Sequence, residues 1–289
     1  MVYFCADDYG ISPISNSRIE QCLHEGVLNK VSVLPNGKLT DFKDRLSEAG
    51  AVLSLHLNFV EGKALCDPEE LDLITTGDGC FKHSFAGLFL LSLTPKRKKL
   101  EAQLRKEMRA QLLFWKQQMG DQTPLVIDSH QHTLLIPVLL KTLMRVIEEE
   151  KLPVATVRIA AEPLTPYLLT PSLWFAYKPK GIIKQWILQF LALVNRRKIK
   201  SANLHNAYFM GAMFSGRMTE DKIKKLLPHY LKIAEKQGKD VEIALHPGYI
   251  QENETMMDGV RDGFKKFYFS PWRKREFDTL MHFHLEQQG

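Results

Sequence analysis

Apolar, β-branched runs recur along the chain at 2–6, 30–34, 51–57, 124–128, 154–160, 203–209 and 241–245. Between them, at 15–24, 97–119, 137–150 and 219–237, apolar residues return every three to four positions. Short apolar runs alternating with helix-period segments predict βαβ units and a parallel sheet. Seven candidate strands suit a single α/β domain spanning 1–289, a variant β/α barrel that is closed or nearly closed. A doubly wound open sheet would give the same alternation. The run at 203–209 is the least regular of the seven.

Two stretches break the rhythm. Residues 60–92 are irregular, and 162–180 hold Pro163, Pro166, Pro171 and Pro179, which exclude a continuous helix there. Long loops in a compact fold tend to be functional, so insertions around 60–92 and 162–200 are expected to wall or cover the site. Segment 182–194 is strongly apolar, yet too short to span a bilayer and interrupted by Lys184, Gln185 and Gln189. With Arg196 and Arg197 following, 182–197 has the makings of an interfacial helix. A lid or packing helix is the preferred reading, and membrane contact the lesser one.

Composition narrows the class. With 45% hydrophobic and 25% charged residues, the chain can build a full core. Its net charge of +6 comes largely from short clusters at 96–99 and 196–198, which read as solvated helix faces. No nucleic-acid module accompanies them, so nucleic acid is not an expected partner. Cys5, Cys22, Cys66 and Cys80 are scattered without a CxxC pair, which argues against a zinc ribbon or a redox motif. Met1 leads straight into a strand-like run, so a reducing cytoplasm is the expected location. The oligomeric state is open, and a homodimer is compatible with the chain.

The chemistry lies at the strand ends. The first run leads into Asp7-Asp8, the third into His56-Leu57-Asn58, and the fourth into Asp128-Ser129-His130-Gln131-His132. The fifth meets Arg158, and the last ends in His246-Pro247-Gly248. In parallel β/α folds the C-terminal edge of the sheet carries the active site, so these five positions are expected to converge. One Asp, His56 and one histidine of the DSHQH run would supply the three ligands of a catalytic metal site with a position left for water. The donor types do not choose between Mg2+, Zn2+ and other divalent ions. Each element alone has a plainer reading: Asp-Asp as a helix N-cap, His56 as a core histidine, HxH as chance, His-Pro-Gly as a turn. Their co-occurrence favours a site.

These motifs resemble those of the YdjC-like carbohydrate deacetylases. Ala6-Asp7-Asp8-Tyr9-Gly10 is similar to that family's ADDFG or ADDYG signature, and Leu55-His56-Leu57-Asn58 to its LHLN segment. Asp128 to His132 resembles its DSHxH segment, and His246-Pro247-Gly248 its late HPG. All four occur in the family's order across nearly the whole chain. Cys5 departs from the Asn that many members carry there. The resemblance implies a variant β/α barrel holding one divalent metal, with Asp8, His56 and His130 as ligands. Asp7 would be the general base and His246 the general acid, and the substrate an N-acetylated sugar such as a chitooligosaccharide. Arg158 is expected to orient Asp7, to stabilise developing charge, or to form a structural ion pair. Tyr9, Asn58 and Tyr249, with Phe59 and Trp174, are candidates to contact the sugar. Rival readings are another metal-dependent hydrolase on this scaffold, such as a phosphoesterase, and a non-catalytic sugar-binding or membrane-associated protein.

Overall fold

The computed structural model describes residues 1–202, 204 and 207–284. Seven strands form one sheet: β1 (Val2–Tyr9), β2 (Lys30–Val33), β3 (Val52–Leu57), β4 (Leu125–Ser129), β5 (Val154–Val157), β6 (Ala207–Met210) and β7 (Asp240–Leu245). Their order is β5-β4-β3-β2-β1-β7-β6, with parallel pairing throughout. The sheet curls into a half-barrel. Among the described residues β5 and β6 are not paired, so the barrel is open on that side.

The described residues also form ten α-helices: α1 (Pro13–Glu25), α2 (Phe42–Ser47), α3 (Phe85–Leu91), α4 (Arg97–Met119), α5 (Pro137–Glu149), α6 (Thr165–Leu168), α7 (Pro179–Ser201), α8 (Glu220–Gln237), α9 (Asp262–Tyr268) and α10 (Pro271–His282). Four of the helical stretches read from periodicity correspond to α1, α4, α5 and α8. Proline at the first turn of α1, α5 and α7 costs no hydrogen bond, because that turn's N–H groups lack helical partners. The seven expected strands are all present, with ends moved by a few residues. The run at 203–209 is the furthest displaced: its strand is Ala207–Met210, and Asn203, His205 and Asn206 lie outside the described residues.

Side chains alternate across a strand, and this sheet uses its two faces differently. Phe4, Val31, Val33, Leu53, Leu55, Ile127, Val241 and Ile243 belong to the buried apolar core shared with the helices. The intervening positions carry Cys5, Asp7, Lys30, Ser32, Ser54, His56, Asp128 and Glu242, also buried, on the concave face. These groups satisfy one another. Lys30 pairs with Glu242 at 2.9 Å, while Ser32 and Ser54 donate to Asp128 at 2.6 and 2.8 Å. Buried polar groups are tolerated only when paired in this way. The polar filling leads upward to the C-terminal strand edge.

Candidate active site

The first motif works through a break in the strand. Consecutive residues of a regular strand point to opposite faces, yet Asp7 and Asp8 both line one cavity. Asp8 lies in the left-handed region at φ 73°, and the register of β1 on β2 shifts between Ala6 and Tyr9. A bulge of this kind re-aims a side chain at the sheet edge. The chain turns similarly after β4, where Gln131 and His132 have φ of 52° and 60°. The DSHQH run thus leaves the strand through a tight turn rather than as extended backbone.

Asp8 is the hub. Its Oδ1 lies 2.6 Å from His130 Nδ1 and 3.2 Å from His56 Nε2, and Tyr268 donates its hydroxyl to Oδ2. Burial raises the Asp8 carboxyl's pKa, but His130 and His56 outweigh it and hold the group well below the usual carboxylate range. On its other nitrogen His56 meets Asp128 Oδ1 at 2.6 Å, a contact that fixes the ring's orientation. His130 Nε2 is buried without a hydrogen-bond partner among the described residues. Donor atoms of Asp8, His56 and His130 all lie within 4.8 Å of one another. One carboxylate and two imidazoles at this spacing fit a divalent cation.

Two neighbouring donor groups are less suited. Cys5, Asp128 and Glu242 cluster similarly, as do Asp7, His56 and Asp128. A cation already sits among them: the Arg158 guanidinium is 2.6 Å from Glu242, 3.0 Å from Cys5 Sγ and 3.1 Å from Asp128. It also holds Asp7 through two contacts of 2.8 and 2.9 Å. Burial raises the Asp7 carboxyl, but Arg158 and then His56 outweigh it, so the net shift is downward.

His246 approaches the second carboxylate oxygen of Asp8. Its Nε2 is 3.8 Å from Asp8 Oδ2, and its Nδ1 is 3.7 Å from Glu276 Oε2, beyond hydrogen-bonding reach. Glu276 accepts the His246 backbone N–H at 2.7 Å and is paired with Arg273 at 2.9 Å. His132 also lines the cavity but is packed edge-on to Phe209, and burial pushes its imidazole well below the ordinary value.

The cavity measures about 770 Å³. Asp7, Asp8, His56, His130 and His246 all line it. The lining also includes Glu61 and Phe85 from the 60–92 stretch and Lys180, Ile183, Lys184 and Ile187 from 162–200. The residues expected to contact a sugar lie elsewhere. Tyr9 is buried in the core and donates to Glu20 at 2.5 Å. Asn58 is spent on the loop, accepting from Val60 and Glu61 N–H at 3.1 Å and donating to the Glu61 carbonyl at 2.7 Å. Tyr249 packs on Phe277 beneath the Arg18 guanidinium. Phe59 is core, and Trp174 is exposed away from the cavity lining. The aromatic wall is instead Phe85, Phe264 and Phe267.

Four further groups around the site escaped the sequence reading. Asp128 was visible inside its motif but not as the group that orients His56. Glu242 sits mid-strand in an apolar run, and nothing local marks it. Tyr268 and Glu276 belong to C-terminal helices whose sequence carries no strand-end signal.

A carboxylate–histidine cluster at the C-terminal edge of a curled parallel sheet, set in a cavity, defines a β/α protein with an enzyme-type site. The chain belongs to the YdjC-like protein family, whose model matches residues 1–288. A carbohydrate deacetylase of Xenopus laevis is 24% identical over 289 residues, covering 95% of this chain and 89% of that protein. A carbohydrate deacetylase of Mus musculus is 27% identical over 144 residues, covering 46% of this chain and 42% of the relative. In fold, the chain is similar to the crystal structure of a protein named for cellobiose-phosphate cleavage from Enterococcus faecalis. That likeness has a TM-score of 0.61 at 15% identity and covers 97% of this chain and 90% of the other.

Proposed function

We propose that this protein is a metal-dependent deacetylase that hydrolyses the acetamido group of an N-acetylated sugar. The observation that carries the reading is the convergence of Asp8, His56 and His130 beside an arginine-held Asp7, with His246 3.8 Å from Asp8. Similarity to proteins named carbohydrate deacetylase supports the substrate class. Asp8, His56 and His130 would hold one divalent ion. The chemistry supplied by such an ion when bound is polarisation of a carbonyl and a lowered pKa for water.

The remaining groups divide the proton work. Asp7, kept ionised by Arg158, accepts the proton of the water whose oxygen bonds to the acetyl carbonyl carbon. As the C–N bond breaks, His246 gives a proton to the departing nitrogen, leaving acetate and a free amino sugar. Arg158 does not line the cavity, so its role is to position Asp7. Phe264 and Phe267 offer the apolar wall that a sugar ring needs.

Acetate release from a panel of N-acetylated mono- and oligosaccharides, with and without chelator, tests this. Release that stops on chelation and returns with added metal is expected. Absence of release from every acetamido sugar, alongside hydrolysis of phosphate esters, would transfer the site to phosphoester chemistry.

A further inference from the structure

The α7 helix faces the wrong way for a packing helix. Its buried side is Gln185, Leu188, Leu191 and Asn195. Its outer side carries Ile183, Trp186, Ile187, Phe190, Leu193 and Val194, all exposed, with Trp186 at 65% and Phe190 at 60%. At 3.6 residues per turn these positions form one continuous stripe. The segment leading into the helix adds Phe175, which is 99% exposed. An apolar surface of this extent on a folded protein marks an interaction site.

The charge around the stripe says what it meets. From Pro163 to Thr219 the sequence contains no Asp or Glu, while it holds eight lysines and arginines. Lys178 and Lys180 stand at the start of α7, and Arg196, Arg197, Lys198 and Lys200 at its end. A second copy of this chain is a poor match for that pattern. A symmetric contact through the stripe would bring two basic rims together with no acidic residue in the segment to pair them. An anionic lipid layer matches both features, because it accepts apolar side chains and attracts the flanking cations. No described helix is long and apolar enough to cross a membrane, so the fit is to a helix lying in the interface.

We infer that the exposed face of α7, with Phe175, docks this protein on an anionic lipid bilayer. The stripe is continuous with the active-site cavity, since Ile183 and Ile187 belong to both. Docking there would set the cavity mouth at the lipid surface. Resting on the deacetylase reading, this points to an acetamido sugar carried on a membrane lipid as the substrate class.

Co-sedimentation of the full chain with vesicles of phosphatidylcholine, with and without phosphatidylglycerol, tests the docking without any assay of turnover. Failure of deacetylation therefore leaves it standing, and failure of docking leaves the chemistry standing. The protein should pellet with the phosphatidylglycerol vesicles and release at about 1 M salt, where the screening length is about 3 Å. The double variant Trp186→Glu, Phe190→Glu alters no residue that lines the cavity. It should bind at least roughly tenfold more weakly while keeping its circular dichroism spectrum and its action on a soluble acetamido sugar. Wild-type protein that stays in the supernatant at low salt would overturn the inference. So would a stable wild-type dimer that the double variant converts to monomer, which would make the stripe an interface between copies.

Discussion

Arg158 grips Asp7 with two nitrogens, at 2.8 and 2.9 Å, and reaches Glu242 at 2.6 Å with one of the same nitrogens. A paired guanidinium fixes the carboxylate's orientation and keeps it ionised at neutral pH, the state a general base requires. Asp7→Asn should therefore retain fold and bound metal while kcat falls by roughly two to four orders of magnitude. Turnover close to that of the unchanged protein would remove Asp7 from the proton transfer.

The same network bears on stability. Replacing Glu242 with Gln leaves Lys30 and Arg158 buried with less counter-charge. Breaking a buried pair by removing one partner costs about 3–5 kcal/mol. A loss of that order is expected in urea unfolding of Glu242→Gln, although the residue lies outside the cavity. A change within about 0.5 kcal/mol, typical of surface substitutions, would show the network to be dispensable.

In the proposed site His56 would link proton and metal. Burial disfavours its charged form, but Asp128, then Asp8 and Asp7, outweigh this and push the imidazole up to about 10. A raised folded pKa stabilises the metal-free protein fully below the unfolded value of about 6.5. That contribution is lost as pH rises through about 10. A cation ligated by His56 must displace the proton, so metal affinity should rise from neutral to alkaline pH with proton uptake by the buffer. Calorimetry in two buffers of different ionisation enthalpy reads this. Metal binding with no linked proton would contradict the assignment of His56.

Lys184 lines the cavity. Burial pushes its ammonium down to about 8, against the opposing pull of Glu162, Asp7 and Asp8. The cavity therefore loses a positive charge as pH rises through about 8. If Lys184 helps hold developing negative charge on the substrate, kcat/KM should decline above that pH, and Lys184→Met should lower the rate and flatten the decline. An alkaline limb unchanged in the variant would assign it to another group.

Much of this arrangement was legible in the sequence because parallel sheets encode it locally. Asp7-Asp8, His56, Asp128-Ser-His130 and His246 each follow an apolar run, and the strand order alone brings them together. The two long irregular stretches also reach the cavity, through Phe85 and through Lys180. What stayed hidden depends on long-range geometry. Tyr268 reaches Asp8 across 260 positions, and Glu276 sits beneath His246 from α10, with no local pattern to mark either. The aromatics were misplaced because adjacency to a motif says nothing about which face a ring takes. Tyr9 follows Asp8 directly yet turns into the core, while Phe264 and Phe267 come from a short helix near the other end of the chain.

The most direct test compares the unchanged protein with Asp8→Ala, each supplied with the same divalent ion, for metal bound per chain and acetate released from diacetylchitobiose. Asp8 sits between His56 and His130, so its loss should abolish both metal retention and acetate release while the folded sheet persists. An Asp8→Ala protein that keeps its metal and releases acetate at the original rate would contradict the account at its centre.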